Sequence, residues 1–147
     1  MSKFTALAVV ALTVVGCNSR PSEPKATEKA APAAAQHLAE LSVPAVAAAL
    51  KDKTVVAVDA NNPETREKYG VVPGAVLLTD HRSYALTELP SDKSSSLVFY
   101  CGGTQCRASD AAATRAASAG YASVSVMRDG IRGWVQAGQA TTSAPKS

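Results

Sequence analysis

A chain of 147 residues, 46% hydrophobic but only 5% aromatic, has material for one domain with a modest core in which alanine takes the place of large side chains. Its 15 Lys and Arg against 12 Asp and Glu leave a net charge of +3 with no basic block interleaved with aromatics, so nucleic-acid binding has no support. His37 and His81 stand far apart with no acidic or cysteine partner at ligand spacing, which gives no pattern for a metal site.

Met1-Ser2-Lys3 is a short basic start, Phe4 to Val15 is an apolar run too short for a membrane span of about 20 residues, and small Gly16 directly precedes Cys17. Residues 1–16 read as a signal peptide. Val14-Val15-Gly16-Cys17 resembles a bacterial lipobox, which implies that Cys17 is lipidated and becomes the mature amino terminus. From 17 to 36 the chain is rich in Pro, Ala, Lys, Glu and Ser without a large apolar residue, so this stretch is expected to be the lipid anchor followed by a disordered tether. Its charges, Arg20, Glu23, Lys25, Glu28 and Lys29, nearly cancel, as in a solvated spacer rather than a polybasic lipid-binding patch. The expected address is the cell envelope, with the domain facing the periplasm and touching the membrane through its anchor only.

Globular pattern runs over 37–140. Ser42 can cap a helix that tolerates Pro44 in its first turn and places Val43, Val46, Ala47 and Leu50 on one face. Thr54 to Val58 reads as a central strand ending at Asp59, which serves either as a cap or salt-bridge residue or more directly. Asn61-Asn62-Pro63 opens a short helix through Lys68 that Gly70 stops, and Val71-Val72-Pro73-Gly74 turns into a strand from Ala75 to Leu78. Between Thr79 and Ser96 the pattern is weak, with a helical turn within Tyr84 to Leu89 and a surface loop from Pro90.

Leu97-Val98-Phe99-Tyr100 then reads as a strand buried on both faces, with Cys101 at its carboxyl end and a break at Gly102-Gly103. Past Thr104, Gln105, Cys106 and Arg107, the small residues from Ala108 to Ala119 form a helix closed by Gly120. A thiolate placed where loop N–H groups converge and a helix begins is stabilised, so Cys101 is expected to be nucleophilic with a lowered pKa. Arg107 supplies a fixed positive charge for an anionic substrate. Cys106 lies within reach as a candidate resolving thiol, and a bridge between the two would be redox-labile rather than structural. Ser123 to Met127 alternates as a strand, Ile131, Trp134 and Val135 line a last helix, and 141–147 are expected to be a disordered tail. Strands alternating with helices imply an α/β fold, a mostly parallel central sheet with helices on both faces and reactive loops at the strand carboxyl ends.

The run Tyr100-Cys101 to Arg107-Ala108-Ser109, the later Ala119-Gly120-Tyr121, the segment Asp129 to Trp134 and the earlier Gly70 to Ala75 together resemble a single-domain rhodanese, a sulfurtransferase. The resemblance implies a rhodanese-like fold and a catalytic Cys101 that carries sulfur as a persulfide, with Gly102, Gly103, Thr104, Gln105 and Arg107 as loop and substrate-binding positions. It implies Gly130, Gly133 and Trp134 as packing beside the site. It further implies a small anionic sulfur donor, a thiol or cyanide acceptor, a monomeric protein, and no metal or organic cofactor. Cys101-x4-Cys106 followed by Ala108-Ser109 resembles a subgroup of envelope rhodanese-like proteins.

Two other function classes stay open. The Cys101-x5-Arg107 spacing resembles the phosphatases and arsenate reductases that share this fold, whose wider loop cradles a tetrahedral oxyanion. A non-enzymatic thiol redox or binding module would be favoured by a Cys101 that is buried or bridged to Cys106. The lipobox has its own test: fractionation of a Cys17→Ala variant is expected to show loss of membrane association. Unchanged association, with an unmodified mass at residue 17 in the parent, would remove the anchor.

Overall fold

The computed structural model describes residues 38–144, so the expected signal peptide, Cys17, the expected tether, His37 and residues 145–147 lie outside it. The elements run β1 (Ala39–Glu40), α1 (Val43–Lys51), β2 (Val56–Asp59), α2 (Pro63–Tyr69), β3 (Val76–Leu77), β4 (Ser96–Tyr100), α3 (Ala108–Ser118), β5 (Ser123–Met127) and α4 (Gly130–Gln136). All strand pairs are parallel, in a single sheet of order β1-β5-β4-β2-β3. This is the expected α/β architecture, and no helix among the described residues is long and apolar enough to cross a membrane.

β4 sits at the middle of the sheet because Leu97, Val98, Phe99 and Tyr100 are apolar on both sides of the pleat, and all four are buried. Leu97, Phe99 and Cys101 face one layer, where they meet Ala112, Ala113 and Ala116 of α3 together with Tyr84 and Leu89. Val98 and Tyr100 face the other, against Val43 and Val46 of α1 and Ile131 and Trp134 of α4. The three α3 alanines are fully buried, so the helix rests almost backbone-close on the sheet. That closeness brings the start of α3 beside the end of β4.

The helix boundaries follow local chemistry. Asn62 Oδ1 accepts the Thr65 N–H at 3.0 Å, Pro63 occupies the first turn, and Gly70 ends α2 with φ of +74°. Two features depart from expectation. β1, only two residues long and too short to show alternation, pairs Ala39 and Glu40 with Ser125 and Val126 of β5. Thr142, expected in a disordered tail, forms an antiparallel bridge with Val71 through two bonds of 2.9 Å, which pair the N–H and C=O that Val71 presents in the connection from α2 to β3.

The carboxyl ends of β2 and β4 carry a buried polar cluster. Asp59, fully buried, accepts the Asn61 N–H at 2.7 Å and Arg66 Nε at 3.2 Å, and Arg66 Nη2 also donates to the carbonyls of Asp59 and Leu78 at 3.1 and 2.8 Å. One guanidinium thus ties α2 to the ends of β2 and β3. Tyr100 Oη accepts the buried Val72 N–H at 3.0 Å, and burial, reinforced by the Asp59 carboxylate, pushes the phenol pKa far up. Tyr100→Phe would leave the Val72 N–H without a partner, at a cost of about 1–3 kcal/mol. Urea unfolding is expected to show a lowered midpoint with an unchanged slope; an unchanged midpoint would remove the role of the hydroxyl.

Candidate active site

Cys101 leaves β4 on the α3 side of the sheet, 2% exposed, and its Sγ lies 3.3 Å from Ser109 Oγ in the first turn of α3. The expected order of strand, thiol, glycine loop and helix start is therefore also a spatial arrangement. Cys106 is half-buried against the same core cluster as Cys101, and both cysteines are free. The Cys106 N–H closes a turn on the Gly103 carbonyl at 2.9 Å, which leaves Thr104 and Gln105 exposed at the loop tip.

The other wall of the loop is α4. Ile131 N–H donates to the Cys101 carbonyl at 2.8 Å, and Arg132 donates to the Gly102 carbonyl from its backbone at 3.4 Å and from Nε at 2.9 Å. In a trans peptide the C=O and the following N–H point opposite ways. Fixing these two carbonyls toward α4 therefore turns the Gly102 and Gly103 N–H groups away from α4, toward the side that holds the thiol. Among the described residues, the N–H groups of Gly102, Gly103, Thr104 and Gln105 donate to no acceptor. Such a run of free donors is an anion-binding concavity.

Gly130 makes that wall possible. A Cβ there would collide with the Cys101 carbonyl oxygen and the Gly103 amide nitrogen, and its φ of +62° is one L-residues rarely adopt. Gly133 lies against Asp129 and Val43, while Trp134 is buried with Nε1 donating to the Ala140 carbonyl at 2.8 Å. Of the three, Gly130 packs directly against the loop.

One electrostatic expectation changes. Cys101 was expected to have a lowered pKa, but burial pushes it up, the neighbouring Cys106 thiol adds to this, and the Ser109 hydroxyl and N–H pull only partly back. The loop covers the thiol so closely that the desolvation outweighs the local donors. Arg107 precedes α3 with its side chain 73% exposed and NH1 3.4 Å from Asp110 Oδ2, itself held by Arg128 at 2.9 Å. Its guanidinium meets the acidic neighbour three residues on along α3. His81 is half-buried, and no group of metal-ligating side chains forms among the described residues.

Three neighbours of the loop had no role of their own legible in the sequence. Ser109 is one small residue in an alanine-rich helix, and only the close seating of α3 aims its hydroxyl at Cys101. Arg132 sits thirty positions beyond the carbonyl it holds. Asn61 is 8% exposed, with Oδ1 3.8 Å from the place a Cβ on Gly102 would occupy and Nδ2 without a partner.

Because a raised pKa leaves Cys101 protonated at neutral pH, its alkylation by iodoacetamide is expected to accelerate as pH rises, with a midpoint above the value of about 8.5 for an unburied cysteine. Ser109→Ala removes a donor to the thiolate and should move that midpoint further up. Peptide-resolved mass spectrometry measures both; a midpoint unchanged in Ser109→Ala would show that the hydroxyl does not act on the sulfur.

A family model described as the Rhodanese-like domain matches residues 42–137. Solved structures with the same fold include a Bacillus halodurans protein, 20% identical over 71% of this chain and 77% of that one at a TM-score of 0.61. A Rhodopseudomonas palustris protein of unknown function, described as a possible tyrosine phosphatase, is 25% identical over 71% of this chain and 85% of that one, with a TM-score of 0.57. The thiosulfate sulfurtransferase of Pseudomonas aeruginosa is 22% identical over 73% of this chain but only 20% of that one, with a TM-score of 0.59. No curated protein matches the chain. Since the matched span runs from the residue before α1 to the residue after α4 and takes in the whole loop between β4 and α3, this chain belongs to the rhodanese-like domain family.

Proposed function

We propose that the protein is a sulfurtransferase or persulfide carrier in which Cys101 holds a sulfane sulfur between donor and acceptor. The observation that carries this reading is the set of unpartnered N–H groups at Gly102 and Gly103, oriented by α4 toward the thiol's side of the loop. With a thiosulfate-type donor, the Cys101 thiolate attacks the outer sulfur, the bond to the sulfite group breaks, and sulfite leaves with the electron pair. The outer sulfur remains as a persulfide anion that the loop donors stabilise. An acceptor such as cyanide or a thiolate attacks that sulfur, and the electron pair of the broken S–S bond returns to Cys101. The sequence of steps requires no metal or organic cofactor.

Burial of Cys101 suits a redox or binding module as well as a sheltered nucleophile. The free loop donors favour the nucleophile, since a thiol that only cycles to a disulfide needs no array of N–H groups beside it. The Cys-x5-Arg spacing and the possible phosphatase among the neighbours favour an oxyanion cradle instead. Against it, the loop leaves Cys101 2% exposed, while an oxyanion cradle must open wide enough over its thiol for a tetrahedral group. Cys106 has the position of a resolving thiol, able to displace the outer sulfur of a Cys101 persulfide as hydrosulfide and close a disulfide. Lipidation at Cys17 would hold this activity at the envelope membrane.

Cys101→Ser is expected to abolish thiocyanate formation from thiosulfate and cyanide. Cys106→Ser should still take up one sulfur and change only recovery after oxidation. Mass spectrometry after a thiosulfate pulse reads this directly, as an added sulfur of about 32 Da on Cys101. The same mass on Cys106 with Cys101 unmodified would reverse the roles, and turnover of p-nitrophenyl phosphate without any sulfur uptake would favour the phosphatase reading.

A further inference from the structure

We propose that Arg132 is a positioning residue of the sulfur-transfer site, its side chain holding the Gly102 carbonyl so that the Gly103 N–H stays turned away from α4, toward the side of the loop that holds Cys101. This rests on the reading of Cys101 as the sulfur carrier.

The Gly102–Gly103 peptide has no Cβ on either side, so rotation of the whole peptide plane meets little steric resistance. A turned plane would direct the Gly102 oxygen, rather than the Gly103 N–H, toward a thiolate or persulfide. Its partial negative charge would then oppose the anion that the N–H is placed to stabilise. Two bonds from α4 resist this rotation. The backbone bond from Arg132 N–H is long, at 3.4 Å, and contributes little. The bond from Arg132 Nε is 2.9 Å and charge-assisted, so it is the stronger hold.

The guanidinium also lies along the loop. Its Nε would be 3.3 Å and its Nη2 3.5 Å from a Cβ at Gly103, and Nη2 would be 3.9 Å from one at Gly102. The neighbouring peptide needs no such side chain, because the Cys101 carbonyl already accepts a 2.8 Å bond from Ile131 N–H, and Ile131 is fully buried and fixed. Arg132 instead reaches from an exposed position and faces a 320 Å³ polar cleft lined by Gly103, Thr104, Gln105, Asp129, Gly133 and Gln136. Asp129 places a negative charge beside the arginine in that cleft, so a purely electrostatic capture of an anion there is partly cancelled. A role through the peptide plane is not.

Arg132→Met and Arg132→Lys, compared with the parent, test this with three measurements. Both variants are expected to keep the parent's urea midpoint, because the side chain is exposed. In Arg132→Met the midpoint of Cys101 alkylation should rise, and kcat for thiosulfate-to-cyanide transfer should fall about ten-fold, the loss of one charge-assisted hydrogen bond, with KM for thiosulfate within about two-fold of the parent's. Arg132→Lys, whose ammonium can still donate to the Gly102 carbonyl, should recover most of both. An unchanged alkylation midpoint in Arg132→Met would overturn the proposal, as would a raised KM with unchanged kcat, which would make Arg132 a donor-binding cation. If the parent itself takes up no sulfur, the sulfur-carrier reading fails, while the alkylation midpoints still report whether Arg132 aims the Gly103 N–H.

Discussion

The site depends on the hold that the start of α4 keeps on the loop after β4. Two carbonyls, of Cys101 and Gly102, are bonded to Ile131 and Arg132, and the bonds close only because Gly130 lets α4 approach without a side chain in between. Without that hold, a loop that begins with two glycines would sample many peptide orientations. With it, the donors of the loop are set before any substrate arrives, which is the condition under which hydrogen bonds stabilise a developing charge most effectively.

The remaining architecture serves to bring α3 and α4 to opposite sides of one strand end. Alanines at 112, 113 and 116 let α3 lie close to β4, β5 and β2 residues on one face, while Ile131 and Trp134 seat α4 on the other. Behind the loop, Arg66 joins Asp59 to the ends of β2 and β3, and Tyr100 ties β4 to Val72. The ends of the strands behind the site are thereby linked by buried and part-buried polar bonds. A core this poor in aromatic residues gains modestly from each side chain it buries, so these directed bonds carry much of the definition at the rim.

The same close packing sets a conflict at the sulfur. Ser109 offers Cys101 both its hydroxyl and its N–H, yet the thiol pKa still lies above the ordinary value because burial removes water from the thiolate faster than these donors replace it.

Much of the fold was legible in the sequence because it rests on local pattern. The apolar run from Leu97 to Tyr100, the cap and proline at Asn62-Pro63, the glycine stop at Gly70 and the alternation from Ser123 to Met127 each express a preference of a few neighbouring residues. Cys101 was legible too, since a cysteine between a strand and a glycine loop is an unusual local arrangement. β1 was not, because two residues cannot display a period, and neither was the bridge of Thr142 to Val71, which joins segments far apart in the chain. The contacts of Ser109 with Cys101 and of Arg132 with the Gly102 carbonyl, and the upward shift of the thiol, were decided by tertiary structure alone. Each arises from how closely α3 and α4 approach one strand end, and sequence pattern states which face a helix buries but not the distance or direction at which its polar side chains meet a loop.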